Sequence, residues 1–420
     1  MVSYDNTILM GLGIIPDSDS FGTRLLKLEE ETGLEVMGIA YDRLEEIIQK
    51  NKARTVFGEV PYLQLKAIYN SLFENQQNGG FGFEHSHDAE NDTFAKALSR
   101  RKLAPRHAAS ILLSHREECA IPMRPKIARN IVYIECSDFE GAMNFDPFVG
   151  CELDDTHYIN KYQIHPKSID AKIYLYALNP QEETSLIHQF VVDALINDKR
   201  FALAGCLAES GLQIDPGNMQ IRTYLARISL ESGRFKEAEQ YCTSVLNKDP
   251  NHPLALNVMA QVHKHKKDYA AMKNYLERLL DLNQKDTYAN RSLAELHEVE
   301  GDIGLAINHL MRAMIKDPND PVISRKLAKA LETQGNYHDA KRHYERSIKN
   351  KHAWAEPRID LAKLHFKTGD YNQAIEQFHV AGMLEPGRYN ELTRQWIKRA
   401  KWSERVLRFV QRVIKVDNIE

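Results

Sequence analysis

The 420-residue chain is short of cysteine, of long apolar runs and of charge of one sign, and each shortage removes a class of protein. Its five cysteines (Cys119, Cys136, Cys151, Cys206 and Cys242) are widely spaced and form no CxxC pair. That excludes a disulfide framework and a zinc knuckle, and it fits a reducing, cytoplasmic compartment. No apolar stretch approaches the roughly 20 residues that span a bilayer, so membrane insertion is not expected. The first twenty residues have neither a basic n-region nor a small-residue cleavage site, so no signal peptide is read there. The net charge of −3 argues against a globally basic nucleic-acid binder. Walker A, GxSxG and HExxH motifs are all missing, and Gly11-Leu12-Gly13 lacks the third glycine of a dinucleotide fingerprint, so no cofactor is expected. What is there is ordinary in amount: 43% hydrophobic and 27% charged residues, enough for about two or three packed domains.

The charge is zoned. Residues 1–182 carry 19 Lys+Arg against 27 Asp+Glu, residues 183–386 carry 27 of each, and residues 387–420 carry 9 against 4. The middle zone has a 34-residue period. Asp215-Pro216, Asp249-Pro250, Asp317-Pro318 and Glu385-Pro386 share one register. Gly233, Gly301, Gly335 and Gly369 form a second column, with Lys267 as its exception and Lys199 standing in the earliest, weakest unit. Phe235, Tyr269, Ile303, Tyr337 and Tyr371 follow two residues later. Ala204, Ala238, Ala306, Ala340 and Ala374 form another column, with Met272 as the exception. Leu225, Met259, Leu293, Leu327 and Leu361 are each followed by alanine. Each column has a physical use. The small alanines let two helices approach, the glycine turns the chain through positive φ, the aromatic is expected to plug the gap between helices, and the proline ends the unit. Every unit is then a helix–turn–helix hairpin that buries its apolar face only by stacking on its neighbours.

This pattern resembles the tetratricopeptide repeat family. LAKALETQGNYHDAKRHYERSI (327–348) and LAKLHFKTGDYNQAIEQFHVAGMLEP (361–386) carry the resemblance column by column. It implies an all-α right-handed superhelix, with six units over 183–386 and a degenerate seventh unit or basic C-terminal cap over 387–420. It further implies a non-enzymatic scaffold or adaptor that binds a partner protein or peptide in a groove lined by the first helices. The residues it places there are Arg227, Asn257, Gln261, Lys264, Tyr288, Arg291, Glu295, Arg325, Lys329 and Lys363. Cations prevail among them, so an acidic peptide is the expected ligand. In the last zone Arg394, Lys398, Lys401, Arg405, Arg408, Arg412 and Lys415 recur at steps of four and three. A turn near Ala400–Trp402 would divide them between two helices. They read as a solubilising cap, with docking of an acidic partner as the sharper alternative and nucleic acid not expected.

Residues 1–182 lack the period. Thr7–Ile15, Leu34–Ala40, Arg54–Val60, Ala108–Leu113, Asn130–Glu135 and Lys172–Leu178 read as strands, with helices over Phe21–Thr32 and Asp42–Asn51, which predicts an α/β domain with a parallel sheet. The stretch weakly resembles a degenerate response-regulator receiver. Asp17, Asp19 and Glu59 would form its acidic cluster and Ser114 would end its fourth strand, with glutamate in place of the phospho-accepting aspartate. That resemblance implies a non-phosphorylatable regulator that controls access to the array; in the plain scaffold reading the domain localises, dimerises or regulates. An unrecognised catalytic domain is the remaining alternative. His85 and His87, in Glu84-His85-Ser86-His87-Asp88, are candidate metal ligands, set against the simpler reading of a solvated loop.

Overall fold

Short polar side chains set where the helices begin. Ser20, Thr93, Asp154 and Asn179 each accept a backbone N–H from the first turn that follows. Asn179 does so reciprocally with Glu182, whose carboxylate takes the Asn179 N–H at 2.8 Å. The computed structural model describes residues 19–36, 38–53, 60–78, 80–86, 92–116, 118–129, 131–137 and 142–417, with residues 78 and 406–417 described by backbone alone. These residues form two compact units that divide at 266/267.

The first unit opens with α1 (Phe21–Glu31), α2 (Gly38–Lys52) and α3 (Pro61–Phe73). A small parallel pair follows, β1 (Glu84–His85) with β2 (Lys102–Leu103), flanked by α4 (Phe94–Arg100) and α5 (Pro105–Leu113). A four-stranded antiparallel meander comes next: β3 (Met123–Ala128), β4 (Ile131–Ser137), β5 (Ala142–Asp146) and β6 (Cys151–Glu152). Short helices α6 (Asp155–Tyr162) and α7 (Pro166–Asp170) lead into the long helix α8 (Pro180–Asn197) and then α9 (Phe201–Ile214), α10 (Met219–Glu231), α11 (Phe235–Lys248) and α12 (Pro253–Lys266).

The α/β composition and the presence of a parallel pairing agree with the sequence. The strand assignments differ. Within Leu34–Ala40, residues 34–36 form no strand and residues 38–40 open α2, while Ala108–Leu113 lies in α5. Both are short apolar runs whose period does not separate strand from buried helix. Pro105 at the first helical position, with the His107 ring nitrogen accepting the Ala104 N–H at 3.2 Å, is the signal that decides for helix. Lys172–Leu178 is not a strand. It runs beside β3, donating from Leu175 to Ile127 and from Leu178 to Pro125, with one isolated bridge from Lys126 to Ala177. Asn130–Glu135 falls largely on β4. Thr7–Ile15 lies outside the described residues, as does nearly all of Arg54–Val60.

Position 182/183 is not a packing boundary. One apolar core runs from Phe21 through Leu44, Phe94, Ile111 and Ile134 to Leu186, Leu207 and Ile228. Glu183 on α8 is buried and held by Arg116, at 2.8 and 3.0 Å, and by Arg24 at 3.8 Å. Arg106 reaches Asp193 at 2.8 Å, and Arg200 donates to the carbonyls of Thr32 and Gly33. The α/β elements therefore cover the first repeat hairpin, as an array end requires.

The second unit contains α13 (Tyr269–Leu282), α14 (Thr287–Glu300), α15 (Ile303–Lys316), α16 (Pro321–Gln334), α17 (Tyr337–Asn350), α18 (Ala355–Thr368), α19 (Tyr371–Leu384) and α20 (Pro386–Asp417). Its hairpins α14/α15, α16/α17 and α18/α19 each turn on a left-handed glycine. Across both units the two alanine columns are fully buried. The aromatic column is not a plug: Tyr269 and Tyr337 are exposed, and Phe235, Ile303 and Tyr371 are half-buried. The space between helices is filled seven residues later, by the buried column Cys242, Leu276, Leu310, Tyr344 and Phe378, and by Val245, Leu279, Ala313, Ser347 and Ala381 beyond it. The expected turn near Ala400–Trp402 is not formed. Residues 386–417 are one continuous helix, so the last segment is not a seventh helix–turn–helix unit. Nothing between Pro386 and Asp417 breaks a helix: no further proline occurs, and Ala400 is well suited to helix.

Candidate interaction surface

In the second unit the first helices α14, α16 and α18 stand side by side, and charged side chains join them. Lys326 Nζ donates to Glu295 Oε1 at 2.6 Å, linking α16 to α14. Arg325 Nε donates to Asp360 Oδ2 at 2.6 Å and Lys329 Nζ lies 3.5 Å from the same oxygen, linking α16 to α18. The Arg325 guanidinium also sits 5.2 Å over the Trp354 ring, with Lys351 on that ring at 5.3 Å. Arg325 and Lys329 are thus already paired with an internal carboxylate. Arg291 on α14 and Lys363 on α18 make no hydrogen bond or ion pair among the described residues. Tyr288, half-buried beside Ser292, has its phenol pushed up to about 12, first by burial, so it acts as a neutral hydrogen-bonding group.

The remaining groove residues from the sequence, Arg227, Asn257, Gln261 and Lys264, lie on α10 and α12 of the first unit. Gln261 donates to Asn257 Oδ1 at 2.6 Å, and Lys264 is exposed. On α20, Arg394, Lys398, Lys401 and Arg405 are exposed, while the side chains of Arg408 and Arg412 lie outside the described residues. Phe366, Gln395, Lys398, Arg399, Trp402 and Ser403 line an open depression of roughly 620 Å³. Trp396 anchors α20 by stacking on Phe378 at 5.7 Å and meeting Phe366 edge-on at 5.4 Å.

Only some of the candidates in the first 182 residues are described. Asp19 pairs with Lys27 at 2.6 Å, and Asp17 and Glu59 lie outside the described residues. Ser114 ends α5 rather than a strand, and its hydroxyl accepts the Gly22 N–H at 2.8 Å. His85 belongs to β1, stacks on Phe73 at 3.8 Å and has Nε2 3.0 Å from the Tyr69 hydroxyl; His87 lies outside the described residues.

A stack of 34-residue helical hairpins defines a helical repeat protein, and comparison assigns the repeat. Three tetratricopeptide repeat models match residues 195–262, 254–286 and 325–381, and the chain carries a tetratricopeptide repeat array. No curated protein matches the chain in sequence. Solved structures similar to it include pilF of Pseudomonas aeruginosa, at 16% identity and TM-score 0.47, over 52% of this chain and all of that one. YrrB, described as a TPR protein with an unusual peptide-binding site, matches at 15% identity and TM-score 0.39, over 46% of this chain and 97% of that one. MamA of Desulfovibrio magneticus matches at 16% identity and TM-score 0.38, over 40% and 96%. The array supports a protein–protein interaction scaffold in general terms, and no helix among the described residues is long and apolar enough to cross a membrane.

Proposed function

We propose that the protein is a non-catalytic cytoplasmic adaptor that captures an acidic segment of a partner protein along the first helices of its second unit. The α/β region serves as the array's N-terminal cap and the basic helix α20 as its C-terminal one. One observation carries the reading. Arg325, Lys326 and Lys329 are paired with Asp360 and Glu295, while Arg291 and Lys363 on the flanking helices have no such carboxylate among the described residues. Cations left unpaired on a ridged helical face suit incoming carboxylates. The neighbouring pairs hold the helix spacing without competing for the ligand.

The test uses the full chain and immobilised peptides of matched length, rich in Asp/Glu or neutral. The acidic peptides should bind, and binding should weaken with added salt. At about 1 kcal/mol for each partly exposed charge pair, Arg291→Glu with Lys363→Glu should weaken binding by at least roughly tenfold. Arg325→Glu is the wrong probe, because it places a second carboxylate against Asp360. Equal binding of both peptide classes, or full binding by the double variant, would remove the second-unit face from consideration.

A further inference from the structure

We propose that the turn between α14 and α15 is a binding site for a borderline divalent transition-metal ion of the zinc class, held by His297, Glu300 and Asp302. A ring nitrogen of His297 and one carboxylate oxygen from each acid lie within 4.8 Å of one another. The backbone builds this grouping. His297 and Glu300 are one helical turn apart on α14 and share a face. Gly301, at φ 87°, then reverses the chain, and the Asp302 N–H returns to the His297 carbonyl at 2.8 Å, which brings the third carboxylate beside the first two groups.

Two observations beyond the acidic cluster point to a ligand. His297 is 5% exposed, and its buried Nδ1 has no hydrogen-bond partner although Glu300 Oε2 lies only 3.1 Å away. The ring nitrogen and the carboxylate oxygen are close but not aligned as a hydrogen bond, which leaves the nitrogen lone pair available to an ion between them. Asp302 also stands in the N-cap position of α15 yet makes no side-chain cap; Asp268 and Asn336 in the same column cap α13 and α17, and Asp370, which does not cap α19, turns to His365 and Thr368 instead. The imidazole is held in place by a near-parallel stack on His309, 5.5 Å away, which is itself fixed by Asn290 Oδ1 at 3.0 Å. Glu300 and Asp302 are exposed and free to rotate inward to the roughly 2.0–2.2 Å that zinc–nitrogen and zinc–oxygen bonds need. One nitrogen and two oxygens suit a borderline ion, with water completing the coordination.

The repeat supplies its own comparison. His365 and Asp370 occupy the same columns two hairpins further on, but Thr368 stands in place of Glu300. There Nδ1 lies 3.4 Å from Asp370 Oδ2, which also accepts from the Thr368 hydroxyl at 3.2 Å. That turn is satisfied by its own side chains and lacks the second carboxylate.

The test titrates zinc into the tag-free full chain by calorimetry, with cobalt(II) absorption as a second readout. A His85→Gln/His87→Gln background removes the metal-ligand candidates of the first 182 residues. One ion per chain should bind in that background, and zinc should raise the melting temperature. Glu300→Gln and Asp302→Asn change exposed side chains and leave the fold intact. Each should weaken binding at least about tenfold and abolish the zinc-dependent rise, and His297→Gln should do the same. Unchanged affinity in the Glu300 and Asp302 variants, or no binding at micromolar zinc, would overturn the proposal. Peptide capture by the first-helix face is read separately and does not depend on the result.

Discussion

At the scale of the residue, the glycine column shows what one backbone angle demands. Gly301, Gly335 and Gly369 turn at φ 87°, 89° and 86°, and the next residue donates to the carbonyl five positions back, at 2.8–2.9 Å. The unit at 183–216 makes the same turn with lysine: Lys199 sits at φ 60°, and the Arg200 N–H reaches the Leu195 carbonyl at 2.8 Å. The conformation is fixed by the hairpin rather than by the residue, so a side chain there carries a left-handed penalty of roughly 1–2 kcal/mol. Lys199→Gly should raise stability by about 1 kcal/mol, after the greater freedom of glycine in the unfolded chain is subtracted. Denaturant titration of the two proteins checks the direction; a less stable variant would mean that Lys199 is held by more than its backbone.

At the scale of the element, the loop after α11 is where the repeat meets the α/β region. Asp249, the residue before the register proline, is fully buried and accepts from the Ser168 hydroxyl and the Tyr174 hydroxyl, both at 2.9 Å. Asp249→Ala leaves the buried Tyr174 hydroxyl without its acceptor and the Ser168 hydroxyl with only the Lys248 carbonyl at 3.4 Å, and should cost about 2–3 kcal/mol, seen as a lower melting temperature. This use of an ordinary repeat position was not legible in the sequence, since the acidic residue before proline recurs in four units and nothing in the sequence marks which one meets Ser168 and Tyr174. Columns of one residue type, the alanines and glycines, were readable and lie where the period places them. The buried column Cys242, Leu276, Leu310, Tyr344 and Phe378 was not, because packing asks there only for an apolar body of variable size. The strands of residues 1–182 were misread for a related reason: runs such as Ala108–Leu113 are apolar on all sides, and a residue buried on every side carries no period.

At the scale of the whole molecule, the first unit carries buried imidazoles and a buried carboxyl whose effects oppose each other. Burial holds His115 and His252 down to about 4, against an ordinary value of 6.5, and lowers His107 as well. As pH falls below about 6.5 the unfolded chain takes up protons that the folded unit refuses, so these groups withdraw stability on acidification down to about pH 4. Burial raises Glu29 from 4.5 to about 7, despite the N–H groups of Phe94 and Ala95 that it accepts. The folded unit keeps that proton after the unfolded chain has lost it, so Glu29 withdraws stability as pH rises from about 4.5 to about 7. Three imidazoles outweigh one carboxyl between pH 4.5 and 6.5, and the melting temperature of the first unit should fall toward the acid end. His115→Asn should flatten that slope, and an unchanged slope would mean that the imidazole is protonated within the fold.

The packing of α1 on α8 also orders events in time. A repeat hairpin closes a loop of about 34 residues and needs only its neighbour, so hairpins of the second unit can form and stack as soon as they are made. The first core needs residues near Phe21 to meet residues near Leu186, a closure roughly five times longer. Loop entropy adds only about 1–1.5 kcal/mol for that difference, but a search over the longer span is slower. On a chain made from its N-terminus, α1 waits until α8 emerges, and the hairpin of α8 and α9 then acquires a finished surface to fold against.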